Sequence, residues 1–220
     1  MQKIYDCSVD VELLSGFRQA KVALDRGEVV VIPTDTVYGL ASDAFNIKGV
    51  ELLHTTKGID RSTPPTVLIP KVETMSALAT DLPLIANQLA AAFWPGALTM
   101  VLKAQTTLNW DLGETRGTVA LRMPDHKITL ALLEDAGPLA VTAANPKGEP
   151  AAVTAQQAAE YFQGKASVFL DAGSSPKGEA STILDLSQVR DGQPIRVLRK
   201  GAISLDRIRS VIGDVELQVN

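Results

Sequence analysis

Val29-Val30-Val31-Ile32-Pro33-Thr34-Asp35-Thr36-Val37-Tyr38-Gly39-Leu40 joins a β-branched run directly to a polar stretch. Its first four side chains are apolar without alternation, so the strand they predict is buried on both faces. Pro33 cannot donate to a sheet ladder and ends that strand. Two threonines, an aspartate and a tyrosine follow. Loops at strand ends are where polar ligand-binding groups converge in α/β sheets. The same residues also suit a turn in which Asp35 and the threonine hydroxyls cap backbone amides, and local sequence leaves both readings open.

Outward from this segment, residues 11–26 read as a helix whose apolar face is Val11, Leu13, Leu14, Phe17, Val22 and Leu24, with Gly27 stopping it. Downstream, helices are predicted over 47–56, 72–79, 83–93, 128–135, 154–162 (Thr154 as cap) and 204–212. Strands are predicted over 66–69, 98–102, 118–122, 139–141, 168–170, 182–186 and 195–198. Helices interleaved with short apolar strands imply an α/β layer structure. Several strands in succession late in the chain imply a mixed sheet. Segments 58–65, 145–153 and 173–180 are polar, rich in Gly, Pro, Ser and Lys, and read as loops over a ligand. None is long enough for an interdomain linker, so residues 1–220 are read as one domain.

Composition narrows the function classes. Lys and Arg number 21 against 25 Asp and Glu, a net charge of -4, so any phosphate or RNA site is a local patch. A single cysteine, Cys7, excludes an internal disulfide framework and fits a reducing compartment. No apolar signal core follows the N-terminus, and no run approaches a membrane span of roughly 20 residues, so a cytoplasmic location is expected. Neither His54 nor His126 has metal-ligand spacing to other donors, and no protein metal site is expected. The chain has no G-x-S-x-G, G-x-G-x-x-G or G-x-x-x-x-G-K-[ST] pattern. An ATP site here is built from dispersed basic and hydroxyl groups.

Four further segments carry candidates. Lys57 and Arg61 bracket a glycine turn, where both cations would meet one phosphate or simply be solvated. Thr118, Ala120 and Arg122 share one face of a strand, and an arginine there needs a bound anion or a structural carboxylate. The strand from Leu139 ends in small residues and Asn145, which both donates and accepts. Ser181 precedes a strand, and Arg199 and Lys200 stand at a strand end before Gly201.

In this order the segments resemble the YrdC/Sua5/YciO family, from about Leu14 to Ile203. The most specific stretches are Pro33–Leu40, Phe93-Trp94-Pro95-Gly96-Ala97-Leu98-Thr99, Val119-Ala120-Leu121-Arg122-Met123-Pro124, Ser181-Thr182-Ile183-Leu184-Asp185 and Leu198-Arg199-Lys200-Gly201-Ala202-Ile203. The resemblance implies a single-domain α/β fold with a twisted mixed sheet, flanking helices and a basic cleft. The resemblance is to the single-domain form, so the extra C-terminal domain that Sua5 proteins carry is not expected.

The family's activity, threonylcarbamoyl-AMP synthesis, joins L-threonine, bicarbonate and ATP and releases pyrophosphate. Partner proteins then transfer the threonylcarbamoyl group to an adenosine of tRNA. By motif, Thr36 and Tyr38 are expected in the threonine pocket, with Arg122 on the carboxylate or carbamate and Ser181 adding a hydroxyl. Lys57, Thr118, Asn145 and Arg199 are expected on ATP, with Arg61 supplying from the neighbouring turn a guanidinium that the motif lacks, and with Lys57 and Arg122 carrying the catalysis. Mg2+ would accompany the triphosphate with few protein ligands. The signature K-x-R…S-x-N is altered: Ile59 stands in place of arginine and Ala143 in place of serine. Leu68 and Ala151 replace a common histidine and serine. These departures motivate a second reading, an altered paralogue binding nucleotide, tRNA or double-stranded RNA in the same cleft.

Overall fold

The period of two along a strand governs the core of the computed structural model, which describes residues 3–176, 178–189 and 193–219. In chain order the elements are β1 (Lys3–Asp6), α1 (Asp10–Asp25), β2 (Val30–Ile32), β3 (Gly39–Asp43), α2 (Ile47–Lys57), β4 (Thr66–Leu68), α3 (Thr74–Leu78), β5 (Ala79–Thr80), α4 (Leu84–Phe93), β6 (Leu98–Ala104), β7 (Thr118–Arg122), α5 (Lys127–Ala136), β8 (Leu139–Ala143), α6 (Ala155–Tyr161), β9 (Val168–Asp171), β10 (Thr182–Asp185), β11 (Ile195–Arg199), α7 (Leu205–Ile212) and β12 (Leu217–Val219). The strands build one sheet in the order β1-β9-β2-β3-β8-β4-β7-β6-β10-β11-β12, with β5 pairing on β6. Neighbours β1/β9, β2/β9, β4/β7, β6/β10 and β11/β12 are parallel, whereas β2/β3, β3/β8, β4/β8, β6/β7 and β10/β11 are antiparallel. The expected mixed α/β sheet is present.

Alternate residues divide between two apolar clusters. Val29 and Val31 of the opening segment belong to one, which also takes Leu53 of α2, Leu89 of α4, Ala158 of α6 and Ile208 of α7. Val30 and Ile32 belong to the other, with Ala20 and Leu24 of α1 and Leu132 and Leu133 of α5. All of β2 is buried, as its unbroken β-branched pattern predicts.

β3 lies where the sequence predicts no strand. Gly39-Leu40-Ala41-Ser42-Asp43 has little strand propensity, but β2 on one side and β8 on the other supply its pairing. The short β1, β5 and β12 were also unexpected. Of the expected face of α1, Leu13, Phe17 and Leu24 pack inward, joined by Gly16, Ala20 and Ala23, while Val11 and Leu14 are 74% and 64% exposed. Small residues let that helix lie close to Tyr5 and Leu170, which larger apolar side chains would prevent. Thr154 caps α6 as expected, its side chain accepting from the Gln157 amide. No helix among the described residues is long and apolar enough to cross a membrane.

Candidate functional site

The face of the sheet covered by α1 and α5 is left open towards β4, β7, β6, β10 and β11, and register fills the gap with chemistry. Leu98, Met100 and Leu102 of β6 point into the main core, so Thr99 points the other way. The same parity puts Arg122 opposite Val119 and Leu121, and Ile183 opposite Leu184. Leu68 pairs with Arg122, Thr99 with Ile183, and Ile183 with Arg199. Pairing of Met100 with Leu121 brings Thr99 abreast of Arg122. Residues distant in sequence thus form one row across the sheet.

That row floors a cavity of about 440 Å3 whose walls include the Thr34–Gly39 turn, residues 63–65 and Ala180. Its volume falls in the roughly 300–1,000 Å3 range of small-molecule sites. Lys57, Arg122 and Arg199 all line it, together with Thr36, Tyr38, Asn145 and Ser181. Among the described residues, the lining includes no carboxylate.

The three cations differ in what holds them. Lys57 closes α2, is 8% exposed, and donates to the Ala143 carbonyl and Asn145 Oδ1, both at 2.6 Å. Neither partner is anionic, and burial pushes its ammonium down to about 8. Asn145 is fixed for this by donating from Nδ2 to the Pro146 and Glu149 carbonyls.

Arg122 is committed on three sides. Nε donates to the Gly96 carbonyl at 2.9 Å, one terminal nitrogen to Thr36 Oγ1 at 2.9 Å, and the other to Asp35 Oδ1 at 2.5 Å. Its structural carboxylate is therefore Asp35, which also accepts from the Asp125 amide. Burial lowers the guanidinium pKa and Asp35 raises it in opposition. The Trp94-Pro95-Gly96 turn contributes by aiming the Gly96 carbonyl at Nε, while Trp94 Nε1 donates to Leu98 O.

Arg199 stands at the open edge. Nε donates to Ser181 O and a terminal nitrogen to Ser181 Oγ, both at 2.9 Å, and Ser181 Oγ shares a hydrogen with Thr99 Oγ1 at 2.8 Å. Partial burial lowers its pKa, and the like charge of Arg122 adds to that. The Ala202 amide donates to Ala180 O, and any side chain at position 201 would strike Ala180 O and Ser181, so a glycine is needed there.

The opening segment combines both of its readings. Thr34 Oγ1 donates to Val37 O and accepts from the Thr36 amide, a capping turn. Thr34 and Thr36 also face the cavity. Tyr38 lines the wall, but its hydroxyl donates to Gly173 O at 2.6 Å and accepts from the Ala172 amide. Burial raises the phenol pKa, so it stays protonated.

Two expected site residues lie elsewhere. Thr118 does share a face with Arg122, but four residues of strand separate them by roughly 13 Å, and its hydroxyl donates to Thr115 O instead. Arg61 turns outward: it meets both oxygens of Asp111, at 2.6 and 2.7 Å. All four departures, Ile59, Leu68, Ala143 and Ala151, line the cavity. Thr34, Thr63, Thr66, Thr99 and Thr142 line it without having been singled out. Thr99 carried a usable signal, as a polar residue at one parity of an otherwise apolar strand. Burial raises the Cys7 thiol to about 11, which leaves it protonated and unreactive at neutral pH. No cluster of three or more potential metal-ligating side chains occurs among the described residues.

Known proteins agree with this architecture. A family profile, Sua5/YciO/YrdC, described as "Telomere recombination", matches residues 22–201. A protein named putative threonylcarbamoyl-AMP synthase from Mycobacterium leprae is 42% identical over 215 residues, covering 98% of this chain and 96% of the relative. The crystal structure of Pyrococcus abyssi Sua5 complexed with L-threonine superposes with a TM-score of 0.89 at 33% identity. It covers 99% of this chain, which spans only 62% of the Sua5 chain's length. Escherichia coli YciO shares the fold, with a TM-score of 0.81 at 21% identity over 94% of this chain and 99% of its own. By the extent of these matches, the chain belongs to the Sua5/YciO/YrdC family.

Proposed function

We propose that this chain is an L-threonylcarbamoyl-AMP synthase, acting in the cytoplasm on L-threonine, bicarbonate and ATP to supply threonylcarbamoyladenosine (t6A) modification of tRNA. The observation that carries this is the meeting of Lys57 and Arg199 in one cavity with no carboxylate among its described lining residues and with Arg122 already balanced by Asp35. Two cations in excess suit a polyphosphate. The adjoining Thr36 hydroxyl, held by Arg122, suits an amino-acid carboxylate or carbamate.

In this reading the threonine amine and bicarbonate give a carbamate and water. A carbamate oxygen then attacks the α-phosphorus, the bond to the β-phosphate oxygen breaks, and pyrophosphate leaves with that electron pair. No covalent intermediate on the protein is needed, which fits a site whose described lining holds neither cysteine nor histidine. Lys57 and Arg199 bind phosphate oxygens and stabilise charge on the leaving group, Ser181 holds the Arg199 guanidinium, and Asn145 holds Lys57. With no lining carboxylate, Mg2+ would be held by triphosphate oxygens and water, supplying further charge neutralisation. The product would pass to the proteins that transfer the threonylcarbamoyl group to tRNA.

A second reading, a paralogue that binds nucleotide or double-stranded RNA without this catalysis, is favoured by Ile59 and Ala143 in the lining. One experiment separates them: purified protein incubated with labelled threonine, bicarbonate, Mg2+ and ATP. Pyrophosphate release that depends on threonine is expected. Its absence from folded protein that still binds ATP would favour the second reading, and a steep salt dependence of RNA binding would extend it to RNA.

A further inference from the structure

Residues 58–65 form the cavity wall beside Lys57, through Ile59, Thr63, Pro64 and Pro65. The wall has little internal support. Gly58 and Ile59 donate back to the end of α2, Ser62 turns onto the Asp60 carboxylate, and Thr63 donates to Asp60 O. Among the described residues, every hydrogen bond tying residues 60–63 to another part of the chain goes to residues 111–114. The Arg61 guanidinium grips both Asp111 oxygens, and the Glu114 amide donates to Arg61 O at 2.7 Å. Asp111 Oδ1 also accepts from the Gly113 amide at 3.0 Å, so one carboxylate organises its own turn and the wall together. Gly113 has φ +99, and a side chain there would collide with Arg61 O.

The 111–114 turn is itself anchored. Trp110 stacks on Phe45, ring centroids 5.4 Å apart, and Leu112 is buried in the main core. The Gln105 and Ala104 amides donate to Leu78 O and Gly117 O, closing the segment at its base. The clasp therefore joins a braced strap to a wall that lacks bracing of its own.

We propose that Asp111 is a positioning residue for the cavity, holding Arg61 and the 58–65 wall from a strap 50 residues away. Arg61 acts in this clasp and not as a phosphate ligand. The effect on ATP rests on the function proposed above, whereas the positioning of the wall does not.

Asp111→Asn, Arg61→Gln, the double variant and the charge swap Arg61→Asp/Asp111→Arg test it. Hydrogen exchange of the ligand-free proteins comes first. Amides of residues 60–63 and Glu114 exchange faster in Asp111→Asn, with the thermal midpoint nearly unchanged; those of residues 60–63 recover in the swap, whereas the Gly113 amide, which loses its acceptor there, does not. Unchanged exchange overturns the proposal, even if the wild-type protein proves not to bind ATP and the functional reading fails separately. In ATP titrations both single variants raise Kd by about twofold to fivefold, and the double variant is no worse than either. KM for ATP rises while kcat is retained. If Asp111→Asn leaves ATP binding unchanged or tighter while Arg61→Gln weakens it, Arg61 is a ligand held back by Asp111, and the proposal is wrong.

Discussion

Arg122 and Asp35, 87 positions apart, meet at 2.5 Å beneath the cavity floor, their side chains 7% and 4% exposed. Removing one partner of such a pair strands a buried charge on the other, at a cost of about 3–5 kcal/mol. Asp35→Ala is therefore expected to lower unfolding free energy by about that amount in urea titration. Lys57→Ala and Arg199→Ala, whose partners are neutral, should leave stability nearly unchanged. Equal stability across all three would mean that Arg122 finds compensation outside Asp35, Thr36 and Gly96.

Lys57 predicts a pH dependence with a definite sign. Its pKa in the folded protein is about 8, below the ordinary 10.5, because burial disfavours the ammonium. The unfolded chain thus holds the proton more tightly between those values. Burying the charge destabilises the ligand-free protein below about 8, and this penalty is relieved as pH rises from about 8 towards the unfolded value. Phosphate binding runs the other way, since an anion at Nζ favours the charged form. ATP affinity is expected to fall above pH 8, approaching about tenfold per pH unit, with proton uptake on binding detectable by calorimetry in buffers of different ionisation enthalpy. Lys57→Met should abolish both the slope and the uptake. A slope that survives this substitution assigns the titration to another group.

Ser181 offers a test of the edge of the site. Its hydroxyl stands between Thr99 Oγ1 and the Arg199 guanidinium, while its carbonyl holds Arg199 Nε. Ser181→Ala removes one of two tethers, so Arg199 keeps its place but loses orientation. A lost hydrogen bond of this kind costs about 1 kcal/mol, or roughly fivefold in Kd for ATP. Arg199→Ala should cost more than that, and the two losses should not add. Additive losses would show that Ser181 and Arg199 act on the ligand independently.

How far the site was legible follows from the range of the interactions involved. β2 announces itself, because four consecutive β-branched residues have few other destinations. Lys57, Arg122 and Arg199 were found through ordered motifs that span the sheet. Thr118 and Arg61 were not separable from them by local pattern. Sharing a strand face says nothing of distance along the strand, and only the fold brings Asp111 to Arg61. The partner of Arg122 was equally hidden, since a carboxylate beside a threonine in a turn reads as a cap until β7 is placed beneath it. β3 and the inward face of α1 were missed for a related reason. Gly39 carries little strand propensity, and Gly16 and Ala20 carry little hydrophobic signal; pairing with β8, and the close approach of Gly16 to Tyr5 and Leu170, decide their places.

The departures from the family signature give the last prediction. Ile59 and Ala143 line the same cavity as Lys57, where the signature places an arginine and a serine. Ile59→Arg adds a cation to the stretch 59–66, whose described lining residues are uncharged, and a charged hydrogen bond contributes about 1.5–3 kcal/mol, so ATP Kd should fall by about tenfold or more. Ala143→Ser adds a neutral hydroxyl and should tighten binding by no more than about fivefold. The new guanidinium would also repel the Lys57 ammonium, so the pH above which affinity falls should move lower in Ile59→Arg. Isothermal titration across a pH series reads all three effects. If Ile59→Arg weakens ATP binding instead, the apolar wall suits a less charged ligand, and the second functional reading gains at the expense of the first.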